Sequence, residues 1–434
     1  MLVMSRGGSY GRPTMLVLLA GIGASRAAYV DPEAAYVDPS SRAAADTNAD
    51  APWPIVYLNN SIGLSKNAVC LDGTPAAFYV RRNASSTQWR VFFQGGGWCY
   101  DADDCATRAT SDLGSSAAYP PTLASGGSGM MSTRRDVNPT FWAANTVYLK
   151  YCDGDSFSGA RDAPVDVPGG DVSPLHFRGQ AIVDAALETL RADFGLADAT
   201  ELVLTGCSAG GLATFLHADS VGAWARANLP ALVKYGAVPV SGNFLRRETV
   251  SGAPVYPDQM ATIFNLSGAA AGGAPAACLA AKPAADAWQC NFAREAYASS
   301  ASPIFVLDSS FDSWQSDNIM TQYEPDAWRA CSKDPSACTA EQMWAVWAWQ
   351  GDFATSLTTT AQHDAPGNGA FVYACHTHCS GTGDQYATFE IGGTTMARAV
   401  DAWWRSLDAP EAASAHTYFD ELYDANGTTP NPTC

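Results

Sequence analysis

Short apolar runs alternate along this chain with longer segments in which apolar residues recur every third or fourth position. The short runs predict strands at 77–80, 89–94, 146–151, 202–205, 233–240, 304–307 and 370–374. The periodic segments predict helices at 177–193, 210–228 and 394–407. Helices placed between strands are typical of a mainly parallel, doubly wound sheet, so the pattern predicts an α/β protein.

Two long stretches interrupt this alternation, at 111–135 and 268–302. Both are rich in Gly, Ala, Ser and Pro. Such segments form loops more readily than sheet or helix, so we expect them to be loop insertions. Insertions of this kind commonly shape the substrate pocket.

The N-terminal segment predicts export. Arg6 and Arg12 precede an apolar run at 15–22 and then small residues, which is the pattern of a secretory signal peptide over residues 1–28. The run is shorter than the roughly 20 residues needed to span a bilayer, so we expect no stable membrane insertion. Residues 29–52 have no helical or strand period and are interpreted as a disordered linker or propeptide. Residues 53–434 are then the folded domain, and we expect a secreted monomer.

Charge narrows the class of partner. The chain has 25 Lys and Arg against 43 Asp and Glu, a formal net charge of −18. An excess of negative charge repels phosphate backbones, so we expect no nucleic-acid partner. It also makes a polyuronide an awkward ligand, although Arg161 and Arg178 could offset the repulsion locally.

The 12 cysteines fit an oxidising compartment. Close spacing favours disulfides between Cys99 and Cys105, between Cys278 and Cys290, and between Cys331 and Cys338. The segment Cys375-His376-Thr377-His378-Cys379 could instead bind zinc, because thiolates and imidazoles are its usual ligands. A cysteine-rich secreted chain without a second Cys/His cluster favours disulfides, so we expect neither a metal nor a cofactor.

The segment Gly206-Cys207-Ser208-Ala209-Gly210 follows a predicted strand and precedes a predicted helix. A serine between glycines in that context is typical of a nucleophile elbow. The positive end of the helix dipole would point at Ser208, where negative charge develops during acyl transfer. We therefore predict Ser208 as a nucleophile.

A serine nucleophile needs a base and an acid that orients the base. Asp308 and Asp312 follow the predicted strand 304–307, and His376 and His378 follow the strand 370–374. The order serine, acid, histidine is that of an α/β-hydrolase. For Asp308 we favour a turn or cap role; the residues leave the choice of histidine open.

A glycine-rich loop, Gln94-Gly95-Gly96-Gly97-Trp98-Cys99, follows the predicted strand 89–94. Such a loop can bring backbone N–H groups close to a tetrahedral oxyanion. No Gly-Lys-Ser/Thr follows, which argues against a nucleotide loop. We predict Gly97, Trp98 and Ala209 as oxyanion-hole donors.

Six blocks of sequence together resemble the pectin acetylesterases and, more distantly, the animal carboxylesterase Notum. They are Gly-Gly-Gly-Trp-Cys (95–99), Tyr-Cys-Asp-Gly-Asp-Ser-Phe-Ser-Gly (151–159), Leu-His-Phe-Arg-Gly (175–179), Gly-Cys-Ser-Ala-Gly-Gly (206–211), Phe-Asp-Ser-Trp-Gln (311–315) and Cys-His-Thr-His-Cys (375–379). The resemblance implies an α/β-hydrolase fold with Ser208 as nucleophile, Asp312 as acid and His378 as base.

The same resemblance implies a disulfide between Cys70 and Cys152. Two positions depart from the family pattern. His376 stands where an aromatic residue is usual, and Asp155 stands where a small residue is usual, which implies an extra acid near the cleft.

The function expected from these features is a secreted serine esterase that removes O-acetyl groups from a pectin-like cell-wall or extracellular polysaccharide through an acyl-enzyme. One alternative is a Notum-like deacylase that removes a fatty acyl group from a protein. A second is a catalytically silent carbohydrate-binding protein, in which Trp344, Trp347 and Trp349 stack on sugars, although their helical spacing is more typical of a core.

Overall fold

The computed structural model describes residues 51–124, 127–409 and 416–434. The predicted signal peptide, residues 1–28, lies outside these ranges, as does the predicted linker up to residue 50. Within the described ranges, no helix has both the length and the apolar character needed to cross a membrane.

A sheet of ten strands forms the centre of the fold. The strands of the chain are β1 Trp53–Tyr57, β2 Ala77–Arg81, β3 Gln88–Phe93, β4 Thr122–Leu123, β5 Asn145–Leu149, β6 Glu201–Cys207, β7 Lys234–Val240, β8 Phe305–Ser309, β9 Gly369–Tyr373, β10 Glu390–Ile391, β11 Thr394–Thr395 and β12 His416–Phe419. Strands β10 and β11 form a separate hairpin, and the ten others are ordered β12-β9-β8-β7-β6-β3-β5-β2-β1-β4. The seven from β12 to β5 pair in parallel, while β2, β1 and β4 pair antiparallel at one edge. The predicted mainly parallel sheet is confirmed.

Helices cover both faces of this sheet. The α-helices are Ser61–Lys66, Ala102–Arg108, Gly179–Asp193, Ala209–Asn228, Val255–Ser267, Ala276–Ala281, Ala293–Ser299, Ser313–Gln315, Asp326–Lys333, Ala340–Thr358, Gln385–Thr388 and Met396–Ser406. Helical segments of 3₁₀ or π type occupy Gly129–Met131, Leu196–Asp198, Ala269–Ala271, Ala284–Asn291, Ser316–Met320, Pro335–Ala337 and Ser380–Thr382. The three predicted helices are all present.

Strand alternation explains why the sheet has a core on each of its two faces. Successive strand residues point to opposite faces, so Phe93 packs with helices Gly179–Asp193 and Ala209–Asn228, while Phe92 lies in the second core with helix Met396–Ser406. A mostly parallel sheet with helices on both sides is the α/β-hydrolase architecture that the sequence predicts.

The expectation of a loop insertion at 268–302 is wrong. This stretch forms short helices, two of which begin directly after Pro275 and Pro283. Alanine favours helix, and proline is tolerated where a helix begins, so a composition that looks irregular builds a chain of helical turns. The stretch 111–135 is largely irregular, as expected, apart from β4 and the turn Gly129–Met131.

Six disulfides pair all 12 cysteines, and every one of those cysteines lies in the described ranges. The four predicted bridges are confirmed: Cys70–Cys152, Cys99–Cys105, Cys278–Cys290 and Cys331–Cys338. Two further bridges, Cys207–Cys379 and Cys375–Cys434, join distant segments. Complete pairing fits an oxidising compartment.

Candidate active site

Ser208 occupies the sharp bend between β6 and the helix Ala209–Asn228. Its backbone has φ 62° and ψ −129°, a combination that non-glycine residues rarely adopt. Its N–H donates to the carbonyl of Val240 on the neighbouring strand at 3.0 Å. The surrounding sheet and helix thus hold a strained serine in place, as a nucleophile elbow requires.

The glycines around Ser208 are required by close backbone contacts. A Cβ at Gly206 would lie 2.3 Å from the carbonyl oxygen of Gly210. A Cβ at Gly210 would lie 2.1 Å from the carbonyl oxygen of Phe93, and one at Gly211 would lie 2.3 Å from that of Val240. No side chain fits at these distances, so strand and helix can close around the serine only with glycine at each position.

The glycine-rich loop packs directly against this bend. A Cβ at Gly95 would lie 2.8 Å from the Cβ of Ser208. Arg108 donates to the carbonyls of Gly96 and Trp98 at 2.9 and 3.4 Å, and the Tyr151 hydroxyl donates to that of Gly97 at 2.9 Å. The carbonyl groups of the loop are therefore held away from the serine.

The backbone N–H groups of Gly97, Trp98 and Ala209 have no protein acceptor among the described residues. Gly97 lines the cavity that contains Ser208, with Gly95 and Gly96 beside it. Trp98 and Ala209 are not part of that lining, and the Trp98 indole is buried, with its N–H donated to Ser156 at 2.8 Å. Free N–H donors close to Ser208 are what an oxyanion hole at this serine would need.

Asp312 and His378 form a hydrogen-bonded pair. Asp312 Oδ2 lies 2.7 Å from His378 Nδ1, and Asp312 is completely buried. Its other oxygen accepts the N–H groups of Trp314 and Gln315, each at 3.0 Å. The carboxylate is thereby fixed by the short helix that it caps, and it fixes the ring of His378 in turn.

His378 Nε2 is buried and has no hydrogen-bond partner among the described residues. His378 and Ser208 line the same cavity. Burial lowers the pKa of His378, but the charge and hydrogen bond of Asp312, together with the charge of Asp308, outweigh it, so the pKa is raised above its usual value. The ring therefore has one nitrogen held by Asp312 and the other available.

The two competing candidates lie elsewhere. Asp308 belongs to β8, is fully buried, and accepts the N–H groups of Asn243 and Ser309, each at 2.9 Å. His376 Nε2 lies 3.0 Å from the Ser316 hydroxyl, and its ring lies 5.1 Å from that of Phe311. Neither Asp308 nor His376 lines the cavity.

The cavity has a volume of about 530 Å³. Its apolar wall consists of Trp53, Phe92, Leu123, Met131, Tyr148 and Trp314. Among the described residues, no Asp, Glu, Lys or Arg side chain lines it. The interior is thus uncharged apart from His378 when that ring is protonated.

The stretch 111–135 forms one side of this cavity, as the sequence predicts. Leu123, Gly127, Ser128 and Met131 come from it. The stretch is anchored to the sheet, because the fully buried Arg90 of β3 donates to the carbonyls of Met130 and Met131. Ser128 Oγ also donates to the carbonyl of Thr382 at 2.6 Å, which joins the insertion to the loop that follows His378.

A profile of the pectinacetylesterase family matches residues 47–426. This range includes the elbow, the glycine-rich loop, Asp312 and His378. The chain belongs to the pectinacetylesterase family. It is therefore a carboxylic ester hydrolase that acts on acetyl or acyl esters.

Curated relatives fall into two named groups. Pectin acetylesterase 11 of Arabidopsis thaliana is 32% identical over 366 residues, covering 81% of this chain and 87% of that protein. Pectin acetylesterase 7 of the same plant is 31% identical over 393 residues, covering 88% and 92%. Palmitoleoyl-protein carboxylesterase notum1' of Xenopus laevis is 28% identical over 369 residues, covering 81% and 68%.

Asp155, the position that departs from the family pattern, does not add an acid to the cavity. It is completely buried, it is absent from the lining, and it accepts hydrogen bonds from Ser267 at 2.6 Å and Asn291 at 2.9 Å. Burial raises the pKa of Asp155 to about 6. Its role in this family member is to join two segments of the interior.

A metal ion has little to bind at this site. The potential ligand atoms of Cys207, His378 and Cys379 lie within 4.8 Å of one another. Both sulfurs, however, are joined in a disulfide and offer no thiolate, which is the form that binds zinc. The residues present do not fit a metal centre.

Several residues at the site are not identified by sequence reasoning. Trp53 and Met131 reach the cavity from segments far from the elbow, and no local motif marks them. Trp314 does have a signal, because it lies within the Phe-Asp-Ser-Trp-Gln block of the pectinacetylesterases. The bridge Cys207–Cys379 could be suspected only from two cysteines that each neighbour a candidate catalytic residue.

Proposed function

We propose that this protein is a secreted serine esterase that releases acetyl groups from an acetylated polysaccharide, with Ser208, His378 and Asp312 as its catalytic residues. The observation that carries the proposal is the state of His378. Its Nδ1 lies 2.7 Å from Asp312, its Nε2 is unpartnered within the described ranges, and its ring shares a cavity with Ser208. A base held by an acid and placed in the same cavity as an elbow serine suits acyl transfer.

In the proposed first step, His378 Nε2 takes the proton of Ser208 Oγ while that oxygen attacks the ester carbonyl carbon. Asp312 stabilises the imidazolium that forms. The N–H groups of Gly97, Trp98 and Ala209 donate to the tetrahedral oxyanion.

Collapse of the intermediate breaks the bond to the sugar oxygen, which takes the proton from His378 and leaves as a hydroxyl group. The acetyl group remains as an ester on Ser208. Water then attacks this ester with His378 again acting as base, and acetate and free Ser208 are released.

An acetylated polysaccharide is supported by two findings. Two of the most similar relatives are named pectin acetylesterases. The cavity wall is uncharged, which suits a neutral acetyl group. Arg161 and Arg178, considered above as charges that could offset the net −18, do not line the cavity, and Arg178 is paired with Asp162.

The direct test is acetate release from a panel of acetylated polysaccharides, pectin and neutral glycans included, by the wild type and by Ser208→Ala. We expect acetate from at least one polymer and a loss of at least about a thousandfold in Ser208→Ala, since removing a triad member leaves little catalysis. Binding of the polymers without acetate release would indicate the carbohydrate-binding alternative instead.

A second candidate activity is removal of a longer acyl group. The cavity has an apolar wall, and its volume is much larger than an acetyl group requires. One relative is named a palmitoleoyl-protein carboxylesterase. Rates on p-nitrophenyl acetate, octanoate and palmitate separate the two. The highest kcat/KM on p-nitrophenyl acetate supports the deacetylase. The highest kcat/KM on p-nitrophenyl palmitate supports an enzyme that removes a longer acyl group.

Secretion and processing are part of the proposal. The complete pairing of the cysteines supports an extracellular location. The segments 1–28 and 29–52 are proposed as signal and linker from their sequence pattern alone. N-terminal sequencing of the secreted protein tests this, and a mature start near residue 29 is expected.

A further inference from the structure

A disulfide joins the two segments that carry the proposed nucleophile and base. Cys207 immediately precedes Ser208, and Cys379 immediately follows His378. The bridge between them spans 172 positions of sequence. None of the other five disulfides connects two residues that neighbour the proposed triad.

The sulfurs lie beside the base itself. One ring nitrogen of His378 and the two sulfur atoms lie within 4.8 Å of one another, and all three residues line the cavity. The bridge is thus part of the cavity wall beside Ser208 and His378. At that place a covalent link can restrain the distance between these two residues as well as stabilise the folded protein.

Both ends of the bridge adjoin strained backbone. Ser208 has φ 62° and Cys379 has φ 64°, and neither residue is glycine. Residues keep such conformations only when their surroundings over-determine them. Other restraints exist, since the Cys379 N–H donates to Ser241 Oγ at 2.9 Å and the hydroxyls of Thr377 and Ser380 lie 2.6 Å apart. Of these restraints, the disulfide is the one that ties the base loop covalently to the bend of the nucleophile.

We propose that the Cys207–Cys379 disulfide is a positioning element that holds the nucleophile bend and the base loop in mutual register. This inference rests on the proposed function. Loss of the bridge leaves the side chains of Ser208, Asp312 and His378 unchanged. It lets the nucleophile bend and the base loop move relative to each other. Because a misplacement of about 1 Å can cost about a hundredfold in rate, the effect falls on kcat.

The test compares Cys207→Ala/Cys379→Ala with Cys70→Ala/Cys152→Ala. The control pair also removes a long-range buried bridge, spanning 82 positions, that does not neighbour the triad. On p-nitrophenyl acetate, at a temperature well below both unfolding midpoints, we expect kcat of the first variant to fall by about 10–100-fold with KM within about threefold. The control should keep a kcat within about threefold of the wild type.

Either of two results overturns the proposal. One is a folded Cys207→Ala/Cys379→Ala protein with wild-type kcat. The other is an equal fall of kcat in both variants, which would mean that the bridge acts only through general stability.

A second measurement applies if the double variant does not fold. A small dithiol reduces the bridge in the wild type: one thiolate attacks a sulfur, which forms a mixed disulfide and releases one protein thiol, and the second thiol then releases the other protein thiol and a cyclic disulfide. Mass spectrometry then follows reduction of each bridge while activity and circular dichroism are recorded. We expect kcat to fall in step with reduction of Cys207–Cys379 in folded protein; full activity after that bridge is reduced contradicts the proposal.

Failure of this inference can be told apart from failure of the proposed function. An active Ser208→Ala variant rejects the serine mechanism altogether. An inactive Ser208→Ala variant together with a fully active bridge-free protein rejects the positioning role alone.

Discussion

The carboxyl ends of β8 and β9 offer an instructive comparison, because each supplies two residues of the same chemical type. Asp308 lies near the end of β8 and Asp312 follows that strand, while His376 and His378 both follow β9. In each pair, the residue earlier in the chain forms hydrogen bonds away from the cavity. Asp308 accepts backbone N–H groups, and His376 is hydrogen-bonded to Ser316. The later residues, Asp312 and His378, are hydrogen-bonded to each other beside the cavity, with Oδ2 and Nδ1 2.7 Å apart. Burial does not separate the two aspartates, since both are fully buried; their hydrogen-bond partners do.

The histidines give the largest expected difference. His378→Ala should lower kcat/KM for acetate release by about a thousandfold or more, because it removes the base. His376→Phe should retain activity within about threefold, since phenylalanine can pack on Phe311 and only hydrogen bonds outside the cavity, to Ser316 and to the Lys333 backbone, are lost. Comparable unfolding midpoints for both variants serve as the control. The reverse ranking would exchange the roles of the two rings.

The aspartates should differ nearly as much. Asp312→Asn should lower kcat by about 10²–10⁴-fold, because the amide favours the wrong tautomer of His378. Asp308→Asn keeps the shape of a residue outside the cavity, so its kcat should stay within about tenfold while its unfolding temperature falls, because an amide nitrogen then faces a backbone N–H. Steady-state kinetics and thermal unfolding of the two variants check this. Equal kinetic losses would count against the assignment of the acid.

The pH profile sharpens the comparison further. A general base must be neutral in the free enzyme, so kcat/KM should rise with pH through the pKa of His378. That pKa is raised above its usual value of about 6.5, so the midpoint of the acid limb should lie above pH 6.5 or so. In Asp312→Asn, any residual activity should show a lower midpoint, since the charge that raises the pKa is gone. A wild-type midpoint well below 6.5 contradicts this electrostatic picture.

The smallest expected effect concerns a carboxylate away from the cavity, Asp155. Its pKa is raised to about 6 by burial, so the folded state holds this proton more tightly than the unfolded chain does. The stability it contributes is present below about pH 4 and is lost as pH rises through about 6.

Asp155→Asn does not titrate and can still form hydrogen bonds with Ser267 and Asn291. It should therefore be more stable than the wild type at pH 8 by about 2 kcal/mol, with little difference near pH 4. Chemical denaturation at both pH values measures this, and a pH-independent difference would contradict it.

The sequence predicts most of the sheet because its central strands are buried on both faces. The middle of β6 is the apolar run Leu202-Val203-Leu204, and the predicted range, 202–205, lies inside the observed Glu201–Cys207. Edge strands have no such signal. β12 is a half-buried strand of four residues, and β4 has only two, so neither is predicted.

Local motifs predict candidate site residues where a single segment carries the chemistry. The bend at Ser208 and the loop at Gly97 are both recognisable from spacing alone, and the structure places them side by side. The pairing of Asp312 with His378, by contrast, depends on which of two aspartates and which of two histidines the fold brings together. The residues already favour a turn or cap role for Asp308, but only the family resemblance favours His378 over His376 before the coordinates show the contact at 2.7 Å. The bridge Cys207–Cys379 depends on the whole fold, because 172 positions separate its ends.

Reaction of a fluorophosphonate with the protein tests the central claim most directly. The adduct is located by peptide mapping, and its rate of formation is measured for the wild type, His376→Phe and His378→Ala. We predict a single adduct on Ser208, formed at similar rates in the wild type and His376→Phe and about a hundredfold or more slowly in His378→Ala. An adduct on another residue, or an unchanged rate in His378→Ala, would contradict the account.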